Sequence, residues 1–366
     1  MIPCRFCSWR LRPLAWFWML AQVAPLAAQP QPLRLDEEGT VHITDLSVPL
    51  SSFLSPEARD YMRELLLKKP FSGGPSAAED IKGYRARQDE IMNRFLKPIC
   101  ARYPVNIEPK TIAGLYTDVV TPKEGVSSNN RDCVLLNVHG GGFVSGARTA
   151  GLVESIPVAS VEKIKVVTID YRMGPEYKFP AASEDVAAVY QEMLKQYEPQ
   201  QIGLYGCSAG GMLTAMSVAW FQKERLPNPA AVGVLCASIG NIAGGDAAYI
   251  TGPLNGMPAA PAPSAGDRRG PTGYLSEVDP KDPLAYPINS PALVAKFPPT
   301  LLLTSTRAVE FGAAINSHNA LVRSGVEAEL HVWDGLPHAF WYNSELPESR
   351  EAYDVIARFF DRNLRR

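Results

Sequence analysis

The sequence predicts an α/β fold, a mostly parallel central sheet flanked by helices. The first observation is alternation: from Val105 onward, short β-prone runs at 111–120, 133–138, 165–170, 201–205, 231–235, 300–304 and 328–333 are interleaved with helical stretches such as 181–196 and 209–224. Such alternation favours parallel strands joined by crossover helices that cover both faces. The second is size and composition: 366 residues with 46% hydrophobic content suit one large α/β domain, or a core with a small addition, and exclude a disordered or fibrous chain. The third is the 32 prolines, about 9% of the chain against a usual level of roughly 5%, which argue against long uninterrupted helical bundles.

Taken in order, the chain opens with Arg5, Arg10 and Arg12, an apolar run at 14–21, and the small-residue stretch 24–28. That order predicts a secretory signal peptide at 1–28, cleaved after Ala28, and hence an exported protein, periplasmic or secreted. The run is short of the ~20 residues needed to span a bilayer and Pro25 interrupts it, so no membrane association is expected beyond the signal segment. Cleavage shifts the formal charge from −2 to −5, because three arginines leave with residues 1–28. Nothing in that balance offers the basic stripe a nucleic-acid partner requires. Cys4 and Cys7 leave as well; Cys100, Cys133, Cys207 and Cys236 remain and, in an exported protein, could pair in three ways. No CxxC pair or Cys/His cluster survives cleavage, so no metal site is expected.

Residues 29–104 form an N-terminal helical segment. Ser55-Pro56 is an N-cap followed by proline at the first helical position, with Ala58, Tyr61, Met62, Leu65 and Leu66 on one face. Ser76 and Glu79 make a capping box for a second helix, whose apolar face runs through Ile81, Tyr84, Ile91, Met92 and Phe95. Residues 105–366 form the core, closed by a helix at 347–362 and interrupted at 240–298 by a Pro/Gly-rich insertion containing 258–263. A stretch of that length is either a lid or binding loop, or a flexible insertion without a role.

The chemistry concentrates in three places. Gly206-Cys207-Ser208-Ala209-Gly210 is a G-x-S-x-G run set between the strand at 201–205 and the helix at 209–224, the context in which a sharp strand-to-helix turn presents Ser208 as a nucleophile. His139-Gly140-Gly141-Gly142-Phe143 follows the apolar strand at 133–138. Backbone amides of the run Gly140, Gly141 and Gly142, chiefly the last two, would form an oxyanion hole with the amide of Ala209. His139 itself is expected to anchor the loop. The general base should follow a late strand, after the serine and the acid, and His338 in the loop after 328–333 fits. His42, His318 and His331 are placed in segments without that relation to Ser208.

Together with 171–181 (Tyr-Arg-Met-Gly-Pro-Glu-Tyr-Lys-Phe-Pro-Ala), 297–300 (Phe-Pro-Pro-Thr) and 338–340 (His-Ala-Phe), these motifs resemble the hormone-sensitive-lipase-like family of bacterial esterases, from about Ile112 to the C-terminus. The resemblance implies an α/β-hydrolase fold, a helical cap built largely from the N-terminal segment, and hydrolysis of short- or medium-chain carboxylic esters without metal or organic cofactor. It also implies an aspartate where this sequence has Ala308. Glu310, two residues on, is the expected acid because a triad is defined by geometry and roles. Asp334, in the neighbouring loop, is the alternative. The expected partner is a small-molecule ester; a homodimer stays open. An amidase or lactone hydrolase would use the same residues, and a binding protein of this fold would have lost the carboxylate that orients His338.

Overall fold

The computed structural model describes residues 34–35, 37, 40–42, 47–67, 80–257 and 273–364. The signal segment 1–28, the capping box at Ser76 and Glu79, and the proline run at 258–263 lie outside the described residues. The chain divides into two compact units, Met1–Val48 and Pro49–Arg366. In the first, β1 (Arg34–Leu35) pairs antiparallel with β2 (Val41–His42).

In the second unit, helices α1 (Pro56–Leu67) and α2 (Ile81–Arg102) precede the hairpin β3 (Val105–Ile112) and β4 (Leu115–Pro122). The strand expected at 111–120 is therefore two strands. Ala113 and Gly114 both take positive φ, +54° and +80°, and turn the chain back on itself. Residues 105–112 escape prediction because almost every position is solvent-exposed, leaving no buried face to alternate with. Pro109 within them is tolerated because β3 is an edge strand. The capping oxygen for α2 comes from Asp80, whose side chain accepts from the Gly83 amide at 2.6 Å.

The remainder alternates as anticipated: β5 (Val134–Val138), α3 (Ala150–Glu162), β6 (Lys165–Ile169), α4 (Ala181–Met193), β7 (Ile202–Cys207), α5 (Ala209–Lys223), β8 (Ala231–Leu235), α6 (Ala247–Leu254), α7 (Pro291–Val294), β9 (Thr300–Ser305), α8 (Phe311–Arg323), β10 (Ala328–Trp333) and α9 (Pro347–Asn363). Helix α3 was not anticipated, because Pro157 sits inside it. Lys163, in the left-handed conformation, ends it. The eight strands form one sheet in the order β10-β9-β8-β7-β5-β6-β4-β3, antiparallel only at β3–β4 and β4–β6.

The central strands β5, β7, β8 and β9 are buried along their whole length, as a sheet covered on both faces requires. Their side chains alternate between two cores. Leu136, Leu204, Val232 and Leu302 face the layer containing Tyr190 and Phe221, whose rings stack at 4.4 Å. Leu135, Tyr205, Leu301 and Leu303 face the layer containing Trp341, Tyr353 and Phe360. Phe360 fills that layer against Tyr205, with ring centroids 6.0 Å apart, and a methyl added at Gly203 would meet its ring at 2.7 Å. Phe360→Ala is expected to leave a cavity the sheet cannot close, lowering stability by about 3–5 kcal/mol in urea titrations followed by tryptophan fluorescence.

Candidate active site

Strand β7 ends at Cys207 and α5 begins at Ala209, so Ser208 alone makes the turn, at φ 59° and ψ −123°. A non-glycine residue held at positive φ is strained, and the surroundings impose it. The carbonyl oxygen of Val138 lies 2.1 Å from where a Cβ on Gly206 would sit and 1.9 Å from one on Gly210. Only glycine admits that approach, which explains the two glycines of the G-x-S-x-G run in steric terms. The Ser208 amide donates to the Leu235 carbonyl at 2.9 Å and fixes the turn against β8.

The loop after β5 is built for its backbone too. Gly141 has φ +114°, and a Cβ there would lie 2.1 Å from the Ser145 carbonyl oxygen; Gly142 has φ +64°. Gly141, Gly142 and Ser208 line one cavity of about 890 Å³. The Gly141 amide carries no hydrogen bond among the described residues, and Ala209, as the first residue of α5, has no intrahelical partner for its own. Gly140 departs from the expectation. Its amide donates to Glu154 Oε1 at 2.8 Å and is unavailable to an oxyanion. His139 anchors the loop: it is fully buried, its Nδ1–H donates to the Gly140 carbonyl at 2.7 Å, and its ring stacks on Tyr171 at 4.3 Å. Burial lowers its pKa.

His338 lies in the loop after β10 and lines the same cavity as Ser208. Its Nδ1 donates to Glu310 Oε2 at 2.8 Å, and the Glu310 carboxylate is fully buried, with the Thr304 hydroxyl donating to Oε1 at 3.2 Å. Ala308, where an aspartate would align, is buried in a tight turn in which its amide donates to Ser305 and its carbonyl accepts from Phe311. That turn carries Glu310 to the start of α8. Asp334 is engaged elsewhere, accepting hydrogen bonds from the Ser51 and Thr306 hydroxyls, chiefly the former, which hold its pKa down. Ser208 Oγ and His338 share the cavity wall without a hydrogen bond between them; such contacts often tighten only when substrate is bound. Of the other histidines, His318 lies on α8, His331 on β10 beside Glu329, and His42 in the first unit. Cys100, Cys133, Cys207 and Cys236 are all free thiols; Cys100 is exposed and the other three are buried.

The rest of the cavity comes from the N-terminal helices and the insertion. Tyr61 and Leu65 of α1, Met92 and Phe95 of α2, and Thr251 and Met257 contribute walls. Far from being featureless, the described part of 240–298 supplies α6 to this site. Helix α2 is held over the glycine loop after β5 by Arg85, which donates to the Val144 carbonyl at 2.7 Å and to both carboxylate oxygens of Glu176 at 2.8 and 2.7 Å. The Thr149 hydroxyl adds a bond to Asp89 at 2.8 Å. Sequence reasoning missed Arg85, Asp89, Glu154 and Tyr342. A signal existed only for Glu154, the lone charge in the apolar stretch 150–161.

Burial works to lower the pKa of His338, but the charge of Glu310 and its hydrogen bond more than offset this and raise it to about 9. A base must be unprotonated, so kcat/KM of the free enzyme is expected to rise with pH toward about 9. Glu310→Gln removes the charge that favours imidazolium. It should move that limb to lower pH while cutting kcat by up to about 10⁴, which a pH–rate profile of the two proteins would measure.

The geometry agrees with comparison to known proteins. A family described as alpha/beta hydrolase fold matches residues 135–342. The chain is 29% identical over 227 residues to an acetyl-hydrolase of Streptomyces hygroscopicus, covering 62% of this chain and 74% of the relative. It is 22% identical over 272 residues to an esterase of Acinetobacter venetianus, covering 72% and 86%. Among solved structures, an esterase superposes with a TM-score of 0.74 at 28% identity, over 88% of this chain and 99% of the other. An esterase from the bacterial hormone-sensitive lipase family superposes with a TM-score of 0.70 at 26% identity, over 85% and 99%. With the serine turn and the parallel strands β6 to β10 inside the stretch that the family matches, the chain belongs to the alpha/beta hydrolase fold family.

Proposed function

We propose that this protein is an exported serine carboxylesterase that hydrolyses short- to medium-chain esters through an acyl-enzyme on Ser208. The observation that carries this reading is the fully buried Glu310 carboxylate bonded to His338, which lines one cavity with the strained serine turn. A carboxylate turned to solvent would have favoured a mere binding protein; a carboxylate bonded to the imidazole favours turnover. Esterases and acetyl-hydrolases among the similar proteins support carboxylic esters as the substrate class. The Arg-rich, apolar segment at 1–28 supports export.

In the proposed reaction His338 takes the Ser208 proton as Oγ attacks the ester carbonyl carbon. The charge on the carbonyl oxygen is met by the amides of Gly141, Gly142 and Ala209. Glu310 holds the imidazole by Nδ1 and stabilises the imidazolium. The alkoxide leaves as alcohol with the proton from His338, and water attacks the acyl-enzyme by the same route to release the acid.

Ser208→Ala should abolish both hydrolysis of p-nitrophenyl butyrate and labelling by a fluorophosphonate; full activity in that variant would refute the assignment. The cavity of about 890 Å³, walled by Leu65, Met92 and Phe95, has room for a short or medium acyl chain. Across p-nitrophenyl esters from acetate to hexadecanoate, kcat/KM is expected to peak at about eight carbons or fewer, as a short- to medium-chain preference requires.

A further inference from the structure

One fully buried carboxylate outside the Ser208–His338–Glu310 set touches both pieces of backbone that carry the chemistry. Glu154, on α3, accepts from the Gly140 amide at 2.8 Å and the Tyr342 hydroxyl at 2.5 Å on Oε1. On Oε2 it accepts from the Asn137 side-chain amide at 2.8 Å and the Cys207 amide at 3.3 Å. Gly140 immediately precedes the oxyanion donor Gly141, and Cys207 immediately precedes Ser208. All four partners are donors. The Asn137 amide is locked in that sense, because its oxygen accepts from the Thr168 hydroxyl at 2.7 Å. An ionised carboxylate, which only accepts, suits this set. The group is also tightly enclosed: a Cβ on Gly140 would come within 2.9 Å of the Cys207 carbonyl oxygen, 3.0 Å of the Tyr342 hydroxyl and 3.3 Å of Glu154 Oε1. Burial pushes its pKa up to about 7 against the four hydrogen bonds, so the fold keeps a costly group at this position.

We propose that Glu154 is a positioning residue, a clamp that ties the oxyanion loop at Gly140 to the nucleophile turn at Cys207 and thereby sets the Gly141 amide against Ser208. It touches neither substrate nor the reacting atoms. Its effect falls on the transition state, because the spacing between amide donors and nucleophile matters most when charge develops on the carbonyl oxygen. The inference rests on the serine-esterase reading above.

Glu154→Gln keeps one acceptor oxygen and introduces an amide, so a side-chain N–H must face one of the donors. With p-nitrophenyl butyrate, kcat is expected to fall about 10- to 100-fold while KM stays within about threefold. Affinity for a trifluoromethyl ketone, whose serine adduct places an oxyanion against the same amides, should weaken in parallel with kcat/KM. Glu154→Asp, which keeps the charge, should recover part of the loss. Should Glu154→Gln not fold, Tyr342→Phe removes one donor from the clamp and leaves both backbone contacts, with about a threefold loss expected in kcat. A folded variant with unchanged kcat and ketone affinity, or a loss confined to KM, overturns the clamp. If Ser208→Ala remained active, the reaction assignment would fall instead, and the two failures are distinguishable in one set of assays.

Discussion

Two stretches of backbone meet at the C-terminal ends of β5 and β7 more closely than side chains allow, and the site follows from that contact. The Val138 carbonyl occupies the space where residues 206 and 210 would carry a Cβ. The helix can therefore start only after one residue of strained turn, and that residue is Ser208. The same contact places the loop leaving β5 alongside the serine, so Ser208 and the backbone amides of that loop are neighbours by construction rather than by side-chain reach. Glutamates then hold this arrangement from two directions, Glu310 through His338 and Glu154 through the backbone at 140 and 207.

The parts legible in the sequence are those in which glycine is compulsory or the pattern is local. The runs around Ser208 and Gly141 stand out because crowding excludes other residues, and His338 could be placed because its loop follows a recognisable strand. Glu310 was within reach through the family pattern and chemistry together: the pattern pointed to position 308, where alanine cannot bond an imidazole, and a longer acid two residues on can. Which way an amide points is a different matter. Gly140 belongs to the same run as Gly141, yet its N–H turns inward to Glu154, an outcome set by a residue fourteen positions away. Helix α3 and strand β3 were obscured for opposite reasons, the first by an internal proline in an apolar run and the second by the absence of any buried face.

Attachment of the N-terminal helices to the core is polar where it meets the glycine loop after β5 and apolar where it lines the cavity. Arg85 satisfies the Val144 carbonyl and the Glu176 carboxylate together, while Met92 and Phe95 on the same helix face the cavity. The exposed Arg85–Glu176 pair adds little stability by itself. Its geometric role is larger, since the planar guanidinium fixes the angle at which α2 crosses the loop.

The cavity walls and the reacting groups draw on different parts of the chain. The serine turn, glycine-loop amides, imidazole and carboxylate all sit at the ends of sheet strands, and crowding there admits only glycine at 141, 206 and 210. Much of the enclosing surface comes from α1, α2 and α6, whose described lining residues make no hydrogen bond to Ser208, His338 or Glu310. Such a division lets substrate preference drift under selection at little risk to turnover. Divergence among proteins sharing this architecture should accordingly accumulate around the pocket's rim faster than at the crowded glycines of the sheet ends.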